Sequence, residues 1–409
     1  MRNRTRRRLR LAYVYDALYP ALEGGAERRF HALSTRLAEH HEVHSISWQY
    51  WDGPADVTRD GVQLHGVGDP PPLYGGDGKR TVAEAVRFAV RVVPELMRGT
   101  YDVVDCSATP YVPLYACAVA LNMKRVPMVV TWHEFWGEHW LEYLPDRPRV
   151  ARIARRLESG ALGLGDRRVA VSAFTADRMI AAGSSRGHRQ DPIAVVGNGL
   201  TVDEFRRASP SQALRSDIVF LGRLIEDKRV DLLIEAIARL RPTFPQIRCL
   251  VVGDGPARGA LEARAAAQHL RDQVWFVGHV DEATKLSILR ASSIGVLPSI
   301  REGFGIAALE AQAAGLVPVV ARSPYSAAPS LIHDGVDGLV CDPTAEALAE
   351  ALRSLLADPL RLSLMQAAAG TSASRWDWDR VAHQMEQLYL TVAAPEEPEE
   401  ARLRRLSWL

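Results

Sequence analysis

The segment Pro298-Ser299-Ile300-Arg301-Glu302-Gly303-Phe304-Gly305-Ile306-Ala307-Ala308-Leu309-Glu310-Ala311 constrains this chain more than any other. It follows the apolar run Ile294 to Leu297, so a short buried strand must end in a loop and a helix must begin near Phe304. Gly303 and Gly305 bracket the loop. Backbone N–H groups can therefore approach a bound anion closely, and the helix N-terminus adds the positive end of its dipole. Glu302 stays in the loop, while Glu310 lies less than two turns inside the helix. The plain reading is a helix start with ordinary surface acids. The sharper one is a pocket with phosphate donors in the middle and a carboxylate acceptor at each end, which fits a nucleotide-sugar.

Length and composition narrow the class. A chain of 409 residues suggests about two domains, and 47% hydrophobic content in alternating strand-like and helix-like runs argues an α/β protein. The formal net charge of +1 gives no bulk attraction to nucleic acid. Cys106, Cys117, Cys249 and Cys341 lack metal-site spacing and read as buried thiols of a reducing, cytoplasmic setting. No run approaches the ~18 apolar residues of a membrane span. Arg2, Arg4, Arg6, Arg7, Arg8 and Arg10 form a solvated leader or a weak grip on anionic headgroups, so membrane association is at most peripheral. Only four lysines occur, Lys79, Lys124, Lys228 and Lys285. In an arginine-rich chain, each retained lysine is a candidate for a role that needs a compact ammonium.

Strands are predicted over residues 9–15, 42–48, 101–106, 128–132, 168–172 and 193–196, with helices over 26–39, 81–97, 111–121 and 173–182. Strands joined by single helices require a parallel sheet with right-handed crossovers. Residues 52–78, rich in Gly, Pro and Asp, read as a long irregular loop. The polar stretch 208–215 marks a boundary. Beyond it come strands over 217–221, 249–253, 274–277, 294–297, 318–321 and 338–341, and helices over 230–240, 257–269, 283–291, 306–314 and 345–356. A last helix is predicted over 376–392. The organisation is two doubly wound, Rossmann-like domains, 1–208 and 209–375, then a helix over 376–393 and a disordered tail over 394–409. Doubly wound sheets bind ligands at the carboxyl ends of their strands, so the site belongs in the cleft between the domains.

Other motifs fall at strand ends. Gly24-Gly25-Ala26-Glu27 follows the first strand and opens a helix; a tight turn is the simpler reading and phosphate contact the sharper one. Thr131-Trp132-His133-Glu134 ends another strand, followed by Phe135, Trp136, Trp140 and Tyr143, which either fill a satellite core or stack on rings at a cleft mouth. Gly222-Arg223-Leu224, with Lys228 downstream, sets a guanidinium and an ammonium where a pyrophosphate could lie. Gly253-Asp254-Gly255-Pro256 is a further strand-to-helix turn, and Phe276 to Val280 precedes Glu282 and Lys285. Three matches read as chance or structure. Gly183 to Gly187 spells a hydrolase elbow but follows a helix, Asp377-Trp378-Asp379 sits where an N-cap is expected, and Gly160 to Gly165 precedes a strand rather than following one.

In order and spacing these motifs resemble family 4 of the retaining glycosyltransferases, whose E-x(7)-E signature corresponds to a glutamate pair such as Glu302 and Glu310. The resemblance runs from about residue 9 to residue 392. It implies the GT-B architecture, two facing Rossmann-like domains with a C-terminal helix crossing back. It also implies hexosyl transfer from a nucleotide-sugar co-substrate, with no metal and no other cofactor. In that family pattern Arg223 and Lys228 would hold the departing diphosphate, Glu302 the sugar hydroxyls, Glu310 the ribose, and His133 the sugar from the opposite domain. Donor contacts would come from Gly24, Gly25, Gly222, Gly253, Val280, Glu282, Lys285, Gly303, Phe304, Gly305 and Ile306. Glu282 could accept the adjacent N–H donors of guanine, which favours GDP over UDP. Trp132, Glu134, Phe135, Trp136 and Trp140 are the acceptor-side candidates. The acceptor is a glycan, a lipid or a small molecule, with a specialised-metabolite precursor slightly preferred. A nucleotide-sugar hydrolase or epimerase, and a non-catalytic sensor, are the other classes. One stretch departs from the family: Ser326-Ala327-Ala328-Pro329-Ser330 stands where two glycines and a glutamate are usual.

Overall fold

The computed structural model describes residues 7–73, 81–184 and 192–394. The first sheet contains β1 (Arg10–Val14), β2 (Glu42–Ser47), β3 (Asp56–Arg59), β4 (Val62–Gly66), β5 (Val103–Ser107), β6 (Met128–Trp132), β7 (Arg167–Ala170) and β8 (Ala194–Val195), in the order β3-β4-β2-β1-β5-β6-β7-β8. Every neighbouring pair is parallel except the edge pair β3–β4. β5 and β6 are buried at every position, as parallel strands covered on both faces must be. The irregular loop expected over 52–78 is corrected here. It contains the hairpin β3–β4, turned at Asp60-Gly61 with positive φ at both residues, and β4 extends the sheet alongside β2. An Asp-Gly dipeptide between short strands is a hairpin signal, here masked by the glycines and prolines around it.

The second sheet follows. It draws on β9 (Ser216–Leu221), β10 (Cys249–Val252), β11 (Val274–Gly278), β12 (Ser292–Leu297), β13 (Arg301–Glu302), β14 (Val317–Ala321), β15 (Tyr325–Ser326) and β16 (Leu339–Cys341). Six of these form a parallel sheet in the order β11-β10-β9-β12-β14-β16, while β13 and β15 pair separately at its rim. The chain joins this half before the polar stretch 208–215. Val202 and Phe205 are already buried in one core with Val219 and Leu250. Two long helices were not predicted, Pro148–Ala161 and Pro359–Ser372, nor were the short helices His139–Tyr143 and Val202–Arg207. In the first, arginines crowd the pattern and the buried stripe is carried by small residues such as Ala151, Ser159 and Ala161.

The last helix, Trp378–Val392, packs on the first domain: Val381, Met385 and Tyr389 share a core with Tyr13, Phe30 and Val103. Each such buried side chain contributes about 1.5–3 kcal/mol. Two buried polar contacts fix its register. Tyr389 Oη donates to Asp105 Oδ2 at 2.5 Å, and His41 Nε2 lies 3.0 Å from Glu386 Oε1. The Leu9 N–H donates to His41 Nδ1 at 3.2 Å, which leaves the proton on Nε2 for Glu386. Asp377 caps the helix by accepting from the Asp379 N–H at 2.9 Å, and Asp379 pairs with Arg36, so the Asp-Trp-Asp motif is structural. Lys124 meets the expectation for a retained lysine. Its ammonium donates to the carbonyls of Leu96, Met97 and Gly99 at the C-terminus of helix Val82–Arg98. Lys79, the first residues of the arginine leader, Ser185 to Gly187 and the tail from 395 onward lie outside the described residues.

Candidate active site

The wall contributed by the second domain is made of backbone. The turns after β9, β10 and β11 lie against one another, with the Gly222 N–H donating to Val252 O at 3.0 Å and the Gly253 N–H to Gly278 O at 2.8 Å. Gly253 has φ +130°, and a Cβ there would collide with the Gly222 carbonyl, so no other residue fits. Helix Ile306–Ala314 starts from Gly305 at φ +100°, a conformation side chains disfavour, and no side chain caps it. Its first N–H groups are therefore available to an anion. The stretch that departs from the family pattern packs onto this turn: the Ala327 N–H donates to Glu302 O at 2.8 Å, and a Cβ on Gly305 would come within 2.8 Å of Ala328 Cβ. Here two buried alanines support the loop.

Lysine–glutamate pairs flank that helix start. Lys228 Nζ is 2.6 Å from Glu302 Oε1, and Lys285 Nζ is 2.6 Å from both Glu310 Oε1 and Glu282 Oε1. Burial pulls the Lys285 ammonium down, but Glu310 and Glu282 beside it raise it above the usual lysine range. Glu282 also accepts from Arg28 Nη2 of the first domain at 3.0 Å. Burial opposes its ionisation, yet Lys285 and Arg28 hold its carboxyl below the usual range. Arg223 is exposed, and among the described residues its guanidinium has no side-chain partner. Val280 is half-buried against the apolar core of this domain. The Phe304 side chain is buried edge-on against Trp376 at 5.4 Å, so the backbone is the part of this residue placed to meet a ligand.

The first domain contributes side chains. His133 follows β6 and packs edge-on against Phe30, with Nε2 sealed from solvent and without a hydrogen-bond partner. Burial, reinforced by the positive charge of Arg29, lowers its pKa to about 3, so the imidazole is neutral. Arg29 is fully buried beneath it and donates to the Gly197 carbonyl and to Asn198 Oδ1. Trp132 corrects an expectation. It is wholly buried against Tyr111 and Phe135 and belongs to the core, not to an acceptor surface. Phe135, Glu134 and Trp136 line an open cavity with Arg178, Arg301, Glu302, Gly303 and Tyr325. Trp140 backs this wall, stacked on Trp136 at 4.6 Å.

The two walls touch. A Cβ on Gly303 would collide with Glu134 and the His133 carbonyl, and one on Gly25 would come within 2.8 Å of Ile306 Cδ1. Gly24 caps the helix that Gly25 begins. Arg301 bridges the cleft: Nη1 meets Glu134 Oε2 at 2.7 Å, Nε meets Asp227 Oδ2 at 2.9 Å, and the guanidinium lies over Trp136 at 4.4 Å. Tyr325 Oη donates to Glu142 Oε1 at 2.9 Å, and Arg178 Nη1 to the Pro324 carbonyl at 3.0 Å. Sequence reasoning assigned none of Arg28, Arg178, Asp227, Arg301 and Tyr325. Arg301 had a usable signal, a cation inside the motif beside Glu302; the others acquire meaning only from their partners across the cleft.

The chain matches two family models in succession, Glycosyltransferase Family 4 over residues 23–204 and Glycosyl transferases group 1 over residues 201–373. It is 34% identical to the phosphatidyl-myo-inositol mannosyltransferase of Mycolicibacterium smegmatis over 86% of this chain and 86% of that one. It is 29% identical to the glycogen synthase of Mycobacterium tuberculosis over 97% and 98%. The fold is that of sucrose-phosphate synthase from Thermosynechococcus elongatus, with a TM-score of 0.75 at 19% identity, covering 95% of this chain and all of that one. With its paired Rossmann-like sheets and its glutamates in the cleft, the chain belongs to glycosyltransferase family 4 and is a hexosyltransferase-type enzyme of the GT-B fold.

Proposed function

We propose that this enzyme moves a sugar from a nucleoside-diphosphate donor, GDP-linked in preference to UDP-linked, to a hydroxylated acceptor with retention of configuration and without a metal ion. The observation that carries the reading is the pair of clamps, Lys228–Glu302 and Lys285–Glu310, on either side of an uncapped helix N-terminus. As the bond from the anomeric carbon to the phosphate oxygen breaks, Lys228, Arg223 and that N-terminus stabilise the charge growing on the diphosphate. Glu302 orients sugar hydroxyls, Glu310 the ribose, and the neutral His133 hydrogen-bonds the sugar from the facing domain. The acceptor oxygen bonds the anomeric carbon on the same face, and its proton passes to the leaving phosphate oxygen. Glu282, ionised and anchored by Lys285, is suited to accept guanine N–H donors once Arg28 yields.

The acceptor hydroxyl enters beside Glu302, where Glu134, Trp136, Arg301 and Tyr325 line an open cavity. A specialised-metabolite precursor is the preferred acceptor, with a polyol ring carried by a lipid or glycan as the alternative. Four buried free thiols support a reducing, cytoplasmic setting. The test is transfer from labelled GDP- and UDP-sugars to fractionated acceptors in excess EDTA. Acceptor-dependent product from the GDP donor is expected. Donor turnover without acceptor would mean a hydrolase or epimerase, binding without turnover a sensor, and rescue only by manganese or magnesium would end the metal-free mechanism.

A further inference from the structure

We propose that one flank of the first domain docks on an anionic membrane surface. Helices Val82–Arg98, Tyr111–Lys124 and Pro148–Ala161 pack side by side over one face of the first sheet. They expose Val82, Val86, Val90, Met97, Val119, Met123, Val150 and Ile153. These eight are more than half of the fourteen large apolar side chains exposed among the described residues. Scattered exposed apolar side chains are ordinary, but their concentration on one flank marks an interaction surface.

The charges on these helices are sorted. Arg87, Arg91, Arg98, Arg149, Arg152 and Arg156 are exposed. The only acids on the three helices are Glu84, Glu95 and Glu158, and each turns inward. Glu84 accepts from the Trp48 indole at 2.7 Å, and Glu95 is mostly buried and accepts from Arg98 at 2.6 Å. Glu158 is fully buried and accepts from Tyr111 Oη at 2.8 Å and from the Trp136 and Gly137 N–H groups at 2.7 Å. The outward side of these helices is thus valine and arginine with no exposed carboxylate. That pattern suits a bilayer, where arginine heads meet lipid phosphates while their stems and the valines enter the headgroup boundary. A second copy of this chain fits less well, since a symmetric contact would press like charges together.

The test is sedimentation of the full chain with sucrose-loaded vesicles of phosphatidylcholine, alone or with roughly one-third phosphatidylglycerol. Binding to the anionic vesicles should be at least about tenfold tighter, and should weaken with salt. The pair Val86→Asp with Val90→Asp, and separately Arg87→Glu with Arg91→Glu, should each lose at least about tenfold of that binding while transfer between soluble substrates is unchanged. The N-terminal arginines stay intact in these variants, so the loss reports on the flank. Leu364→Asp, an exposed position on the second domain, should bind as the parent does. Vesicle binding that ignores lipid charge, flank variants that bind normally, or a dimer in sedimentation velocity that the Val86→Asp pair dissociates would each overturn the proposal.

Discussion

Across the cleft, the wall from the second domain is mostly backbone, whereas the wall from the first is mostly side chain. On the second-domain side Gly222, Gly253, Gly278 and Gly305 bring main-chain groups together, and the charged side chains arrive already matched, Lys228 with Glu302 and Lys285 with Glu310. On the first-domain side the aromatics from Trp132 to Trp140 pack on each other and on Arg301, above a buried polar layer of Arg29, Asp105 and Tyr389. The second domain buries polar groups too, Gln312 and Asp337 completely, but they sit apart from the clamps at the helix start. A backbone cradle suits the part of a substrate common to many donors. A side-chain wall can be retuned residue by residue, as an acceptor site must be.

The sharpest way to break this contrast is to damage each wall in turn. Lys228→Ala and Glu302→Gln should each lower turnover at least about a hundredfold, because each removes a charge acting on the transition state. Trp136→Ala should instead raise the acceptor KM while changing turnover by less than about tenfold, since it alters binding shared by ground and transition states. Comparable losses of turnover on both walls, in variants that melt like the parent, would erase the distinction.

Gly303→Ala tests the seam. The atoms nearest its new Cβ, on Glu134 and the His133 carbonyl, all belong to the first domain. Misplacing a closing loop by about 1 Å can cost up to about a hundredfold, so kcat/KM should fall ten- to hundredfold with nucleotide affinity nearly intact. If the nucleotide Kd moves as far as kcat/KM, Gly303 belongs to the cradle rather than the seam.

The backbone wall was also the legible one. A glycine needed for positive φ, as at Gly253 or Gly305, leaves a mark in the sequence because no other residue substitutes for it. Strands β6 and β10 and helix Ile306–Ala314 were likewise readable, since buried parallel strands and glycine-bounded helices carry strong local patterns. Trp132 was misread for the opposite reason: whether an aromatic at a strand end faces core or cleft depends on Tyr111, which is distant in sequence. Arg28, Arg178 and Tyr325 were silent, being ordinary surface residues until the domains meet. The hairpin β3–β4 was lost because its turn signal lay among other glycines and prolines.

A smaller effect concerns base recognition, where the two walls compete for one carboxylate. Glu282 is held by Lys285 from its own domain and by Arg28 from the other. If it reads guanine, GDP should bind about ten- to hundredfold more tightly than UDP, and Glu282→Ala should abolish most of that difference. Arg28→Ala should strengthen GDP binding slightly by freeing the carboxylate. Calorimetry on the two nucleotides is decisive: a preference untouched by Glu282→Ala would mean that backbone near Gly278 and Val280 reads the base.

The smallest functional effect, and the most specific to the first domain, is expected at Asp105. Burial pushes its carboxyl up to about 6, against hydrogen bonds from Tyr389 and Thr131 and the charge of Arg29, all of which pull it down. Between roughly pH 4 and pH 6 the folded protein therefore holds a proton that the unfolded chain has released. The stability linked to that proton is fully present below about pH 4 and is lost as pH rises through 6, a penalty on the order of 3 kcal/mol at neutral pH. Asp105→Asn cannot ionise, and its carbonyl can still accept the Tyr389 hydroxyl while Thr131 turns to accept from the amide. Other carboxylates shift the melting temperature of both proteins alike, so the informative quantity is the difference between them. Relative to the parent, the variant should gain a few degrees in Tm between pH 4.5 and 7.5, with turnover at pH 7.5 the same within about twofold. A difference that stays constant with pH would mean that Arg29 keeps Asp105 ionised throughout. The polar layer under the first domain's wall would then be a simple buried ion pair, with no ionisation cost at neutral pH.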